Sequence, residues 1–142
     1  MPNSPICVDA SFVIRFLESA DPNSVPVRLW TEWHETARPV VAPTLLYYEI
    51  TNAFYRYVAY GKLLPQEADQ LLEVALRLDI ALYDGMQFHR RALKLAETLS
   101  LPAAYDAHYL ALAEQLGAEF WTADKRPVQA TQKVLPWVHL LK

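Results

Sequence analysis

Short, wholly apolar runs alternate along this chain with longer amphipathic ones, and that alternation limits what it can fold into. Ile6-Cys7-Val8 leads through Asp9-Ala10-Ser11 into an apolar helical stretch, Phe12 to Leu17. Pro39-Val40-Val41-Ala42 precedes a long helical pattern, Leu45 to Tyr60. A weaker run, Asp79 to Tyr83, precedes helical patterns over Gln87 to Leu99 and Ala103 to Leu116. Glu119 to Thr122 precedes a short helix, Lys125 to Gln132, and Val138-His139-Leu140 closes the series. Runs this brief read as strands covered on both faces. Strands alternating with helices predict an α/β domain with a mainly parallel central sheet.

The punctuation agrees with that reading. Asp21-Pro22-Asn23-Ser24 reads as a turn and a cap opening a helix through about Thr36, and Thr44 reads as the cap of the helix stopped by Gly61. Pro65 takes the first position of the next helix, with Glu67 and Asp69 in its first turn, where the helix dipole favours acids. Nothing divides the chain into repeats or linked segments, so residues 1–142 read as one domain.

Hydrophobic residues make up 53% of the chain and only 3 residues are Gly, which suits a packed core. The single cysteine, Cys7, excludes an internal disulfide and a multi-cysteine zinc site. No apolar run is long enough for a membrane span, and Met1-Pro2-Asn3-Ser4-Pro5 lacks a signal-peptide pattern; the expectation is a cytoplasmic protein. A net charge of −3 argues against non-specific nucleic-acid binding, although acids gathered to hold metal ions lower the total without touching a basic rim.

Four carboxylates draw the eye by position. Asp9 and Asp124 each end an apolar run, where functional crevices of parallel sheets lie. Each is equally placed to cap the helix that follows. Glu49 sits inside the largely apolar Leu45-Leu46-Tyr47-Tyr48-Glu49-Ile50-Thr51-Asn52-Ala53-Phe54 helix, either on a narrow polar stripe continued by Arg56 or buried against a partner. Asp106 falls in the first turn of a helix so apolar that it must be mostly buried. His108 follows it, but residues two apart on a helix do not face each other.

Carboxylates converging in one crevice cannot all stay ionised without cations. Oxygen-only ligation suits Mg²⁺ or Mn²⁺, which activate water and stabilise the charge that builds up in phosphodiester cleavage. A Ser-His-Asp arrangement, a P-loop, a Gly-rich dinucleotide turn and a His pair at metal spacing are all missing from the sequence. A receiver-like phosphoacceptor expects an adjacent acid pair near the first strand, and a haloacid-dehalogenase-type phosphatase expects Asp-x-Asp; Asp9-Ala10-Ser11 supplies neither.

The segments "ICVDAS", "PTLLYYEITNAF", "AAYDAHYLALAEQLGA" and "FWTADKR", in this order, resemble the PIN-domain ribonucleases, and among them the VapC-like toxins of toxin–antitoxin pairs. The resemblance implies a three-layer α/β/α sandwich with an acidic pocket, and hydrolysis of RNA dependent on Mg²⁺ or Mn²⁺. It implies Asp9, Glu49, Asp106 and Asp124 as catalytic and metal-binding acids, with Ser11 and Thr122 supporting them. Trp121 is bulkier than the aliphatic residue expected before that Thr. The resemblance also implies a small VapB-like antitoxin that blocks the site, and a homodimer.

Lys125, Arg126 and Arg15 are the candidate RNA contacts, ahead of Arg90, Arg91 and Lys94. Tyr47, Tyr48 and Tyr105 could stack on bases, with core packing expected for at least two of them. Apolar surface between Ser24 and Tyr60, including Leu45, Tyr48 and Phe54, is the expected antitoxin face. Two alternatives remain open: a PIN-fold binding module without catalysis, and a solitary RNA-processing nuclease with no antitoxin.

Overall fold

A computed structural model describes residues 3–142. Strands and helices follow one another as β1 (Ile6–Val8), α1 (Ala10–Glu18), α2 (Val25–Glu35), β2 (Val40–Pro43), α3 (Leu45–Ala59) and α4 (Pro65–Leu76). The second half continues with β3 (Ala81–Tyr83), α5 (Gln87–Leu99), α6 (Tyr105–Leu116), β4 (Glu119–Thr122), α7 (Lys125–Thr131) and β5 (Val138–Leu140). The strands lie in the order β3-β2-β1-β4-β5, and every neighbouring pair is parallel. Cys7 stands opposite Val41 on one side and Phe120 on the other.

Chain direction explains the layering. From β1 the chain steps outward to β2 and β3, then returns past β1 to β4 and steps outward again to β5. Right-handed crossovers place the helices of the two excursions on opposite faces. The result is the three-layer α/β/α sandwich expected from the sequence, with α6 packed across β1, β2 and β4, and α5 laid on α6. The reversal of strand order falls between β1 and β4, so a crevice opens beyond their carboxyl ends.

Burial follows position in the sheet. Ile6, Cys7 and Val8 in the central strand are fully buried, whereas β3 at one edge is exposed along its length. That edge position accounts for the weak apolar signal of Asp79 to Tyr83. In β4, Phe120 and Thr122 point inward, while Glu119 and Trp121 face the other way, with Trp121 stacked on His139. Helix α6 buries Tyr109, Leu110 and Leu112 completely, since it crosses the middle of the sheet.

Two expected caps are absent. Thr44 has helical backbone angles and makes no side-chain cap bond; its N–H donates instead to Tyr83 O, prolonging the β2–β3 ladder. Ser24 stands at the cap position of α2, yet its hydroxyl makes no cap bond, and Pro26 has no N–H to offer in that first turn. Helix α6 begins at Tyr105, two residues later than the expected Ala103, and ends at Gly117, whose φ of +64° is the left-handed turn glycine adopts freely. Ala118 N–H then reaches back to Ala113 O, closing the helix before β4.

Among the expected aromatic contacts, Tyr47 packs inward and donates its hydroxyl to Ala75 O. Tyr48 and Tyr105 are exposed, so one tyrosine is a packing residue where at least two were expected. Phe54 is part of the core rather than of a free face. No described helix is long and apolar enough to cross a membrane.

Candidate active site

The crevice is built from four chain segments that end or begin at the carboxyl edge of the sheet. Asp9 leaves β1 in extended conformation and caps α1, accepting Phe12 N–H at 3.0 Å. Its other contacts come from hydroxyls: Ser11 Oγ donates to Oδ1 at 2.7 Å and Thr122 Oγ1 donates to Oδ2 at 2.5 Å. The two hydroxyls are themselves aimed by backbone donors, Ala123 N–H to Ser11 Oγ and Asp124 N–H to Thr122 Oγ1. The β1–α1 and β4–α7 turns are therefore stitched together through one carboxylate. Asp9 is buried, and that burial pushes its pKa up to about 6 although the Thr122, Ser11 and Phe12 donors oppose the rise.

Asp124 plays both roles considered for it. It caps α7 by accepting Arg126 N–H at 2.9 Å, and it lines the crevice. The Arg126 guanidinium also grips it, Nε at 3.1 Å from each oxygen and Nη2 at 2.7 Å from Oδ2. Those bonds hold the Asp124 carboxyl below its ordinary pKa.

Glu49 and Asp106 come from α3 and α6 and are half-buried. Tyr109, fully buried one turn beyond Asp106, donates its hydroxyl to Glu49 Oε1 at 2.5 Å. Burial raises the pKa of Glu49, against the pull of that hydrogen bond, and the charge of Asp106 raises it further. Asp106 is raised by burial and then by Asp124, with Arg126 working in the opposite direction. Asp9 and Glu49 thus sense Asp106, and Asp106 senses Asp124.

The cavity measures about 510 Å³ and takes the form of a trough between two helix faces. Ser11, Ile14, Arg15 and Glu18 line it from α1, and Glu49, Asn52, Ala53 and Arg56 from α3. Both sets follow the i, i+3, i+4, i+7 spacing of one helical face. Asp9, Asp106, Asp124 and Arg126 complete the acidic end.

All four acids line this one space, Ser11 lines it beside them, and Thr122 lies fully buried behind Asp9. Arg126 and Arg15 also face it, whereas Lys125 is exposed and outside the lining. Arg91 is engaged by Glu114 at 2.7 Å, away from the trough. His108 bonds to Ala104 O and to His89, not to a carboxylate. Tyr109 is not singled out by the sequence, which puts Asn52 on the face of Glu49 and Arg56 on a polar stripe without giving either a role. Their signal was the helical offset, three and seven residues beyond Glu49 and three beyond Asp106.

The donor set suits a hard divalent cation, since oxygen alone is offered and the acids are under mutual repulsion. Among the described residues no three His, Cys, Asp or Glu groups form a ready-made metal cluster. Mg²⁺ keeps most of its water shell and is held through one or two carboxylates, so an open arrangement of this kind accommodates it.

A family model described as PIN domain matches residues 6–133. A protein from Pyrobaculum aerophilum shares 21% identity, with a TM-score of 0.67 over 92% of this chain and 81% of its own. A toxin–antitoxin complex from Klebsiella pneumoniae contains a chain at 15% identity and a TM-score of 0.61, over 96% of this chain and 98% of that one. At these identities the two structures speak for the fold alone. No curated protein sequence matches significantly.

Proposed function

The chain belongs to the PIN domain family, and from that premise we propose that it is an Mg²⁺- or Mn²⁺-dependent endoribonuclease acting as the toxin of a toxin–antitoxin pair. The observation that carries this reading is the meeting of Asp9, Glu49, Asp106 and Asp124 in one trough at the point where strand order reverses. Asp9, Asp106, Asp124 and Glu49 would hold the cation. When bound, the cation supplies Lewis-acid activation of water and stabilises charge on the phosphoryl oxygens.

The rest of the chemistry belongs to the chain. Ser11 and Thr122 fix both oxygens of Asp9, so its orientation is set before any ligand arrives. Tyr109 occupies one oxygen of Glu49 and leaves the other free to take a proton from an attacking water. Arg126 offsets the charge of Asp124 in the resting protein and lies where a phosphate would enter.

The toxin reading draws support from the family, and a chain of the same fold, matching nearly the whole of this one, is found in the Klebsiella toxin–antitoxin complex. The antitoxin, the homodimer and the single-domain organisation are parts of the same proposal. Tyr48 and Tyr55 on α3, with Tyr60 at its end, offer exposed aromatic surface for a protein partner.

Purified protein incubated with mixed RNA is expected to cleave it with Mg²⁺ or Mn²⁺ and not in EDTA. Asp9→Asn and Asp106→Asn should each lower the rate by at least about a hundredfold. Cleavage that ignores EDTA, or survives both substitutions, would refute the proposal.

A further inference from the structure

The far end of the trough is chemically unlike the acidic end. Arg15 lies six residues beyond Asp9 and Arg56 seven beyond Glu49, which places them about 9 and 10.5 Å along their helices from the acids. Both side chains line the same space as the acids. Among the described residues neither takes part in an ion pair, whereas Arg38, Arg77, Arg91 and Arg126 all do. Arg56 is steadied by the Tyr60 ring, its guanidinium carbon 5.7 Å from the ring centroid. Glu18 also reaches the trough but pairs with neither arginine.

We infer that Arg15 and Arg56 form a second phosphate-binding subsite, taking a backbone phosphate of single-stranded RNA beyond the one that is cut. The inference rests on the nuclease reading and adds to it the way the substrate lies, lengthwise between α1 and α3. Two guanidiniums that line one space and are held by no carboxylate suit the oxygens of a phosphodiester. Asn52, between Glu49 and Arg56 on the same face, offers a neutral donor and acceptor midway along the trough. A trough acidic at one end and basic at the other holds the strand at two points along its length. It also favours a polymer over a dinucleotide, because only a polymer carries a phosphate at the basic end.

The test is fluorescence anisotropy with a short labelled oligouridylate in Ca²⁺, run beside cleavage assays in Mg²⁺. Arg15→Gln and Arg56→Gln are each expected to weaken binding about tenfold and to lower the dependence of log Kd on log salt by about one. In cleavage, KM for the oligomer should rise with kcat retained, and turnover of a dinucleoside monophosphate, which carries the scissile phosphate alone, should be unchanged. Binding and salt slope unmoved by both substitutions, in a protein that cleaves RNA, would overturn the subsite and leave the nuclease reading standing. A protein that binds the oligomer through these arginines yet cleaves nothing would uphold the subsite and overturn hydrolysis. Equal losses on oligomer and dinucleotide would also overturn it, since the arginines would then serve the scissile phosphate or the fold.

Discussion

Asp9 is the residue in which function and stability pull hardest against each other. It is buried with three donors around it and, among the described residues, no basic side chain paired with it, and its carboxyl is raised to about 6 chiefly by burial. A raised acid destabilises the fold in its charged form. Stability is therefore full below the ordinary carboxylate pKa of 3.8 and is lost as pH rises through about 6. A rise of about two pKa units corresponds to about 3 kcal/mol at most. Asn in this position removes the charge, still accepts from Phe12 N–H and Ser11, and turns its amide toward Thr122. In EDTA, urea melts should show Asp9→Asn about 1–2 kcal/mol more stable than wild type above pH 7, with the difference gone near pH 4. A variant less stable at both pH values would mean that the hydrogen bonds, not the desolvated charge, dominate the site. The gain in stability should accompany the loss of cleavage, as expected of a residue kept for chemistry.

At the scale of elements, what the sequence disclosed depended on whether the signal was local. Apolar runs placed all five strands within two residues, sharply for β1 and β2, which are covered on both faces, and weakly for the exposed edge strand β3. Glycine stops at Gly61 and Gly117 were equally plain, both with positive φ. The caps at Ser24 and Thr44 failed because the backbone there answers to Pro26 and to the β2–β3 ladder, neither visible in a window of a few residues. The acids were found by position, but what holds them was not: Thr122 reaches Asp9 across 113 residues of chain, and Tyr109 reaches Glu49 across 60. One helix end carries a cost that the sequence did conceal. Ser100 closes α5 in the left-handed region, φ 54° and ψ 45°, where a side chain is strained. Ser100→Gly should raise stability by about 0.5–1 kcal/mol in thermal or urea unfolding, the relief of strain exceeding glycine's added freedom in the unfolded chain. Ser100 does not line the trough, which predicts no change in RNA cleavage.

Across the whole molecule, the parallel sheet separates chemistry from anchorage. Every strand delivers its carboxyl end to the same edge, so the acids gather there and the opposite edge is free to serve the fold. At that opposite edge Arg38 donates to Ser4 O and Ser4 Oγ, each at 2.8 Å, and to Glu119 Oε2 at 2.6 Å. It thereby ties the entry to β1, the entry to β2 and the start of β4 into one clasp. Burial alone would raise the Glu119 carboxyl, but the Arg38 and Trp121 donors outweigh it and hold the pKa below its ordinary value. A depressed acid contributes stability above its unfolded pKa of 4.5 and loses it as pH falls through the folded value. Both side chains are partly exposed, at 18% and 33%, so the solvent-screened loss in Arg38→Ala should be about 1–2 kcal/mol near neutral pH. The gap between wild type and variant should narrow as pH falls below 4.5 and through the folded Glu119 value, leaving only the share that the Ser4 bonds contribute. Cleavage per folded molecule should be the same for both, since Arg38 lies a sheet's length from the trough. A drop in kcat that persists under conditions where both proteins are fully folded would show that the two edges are coupled after all.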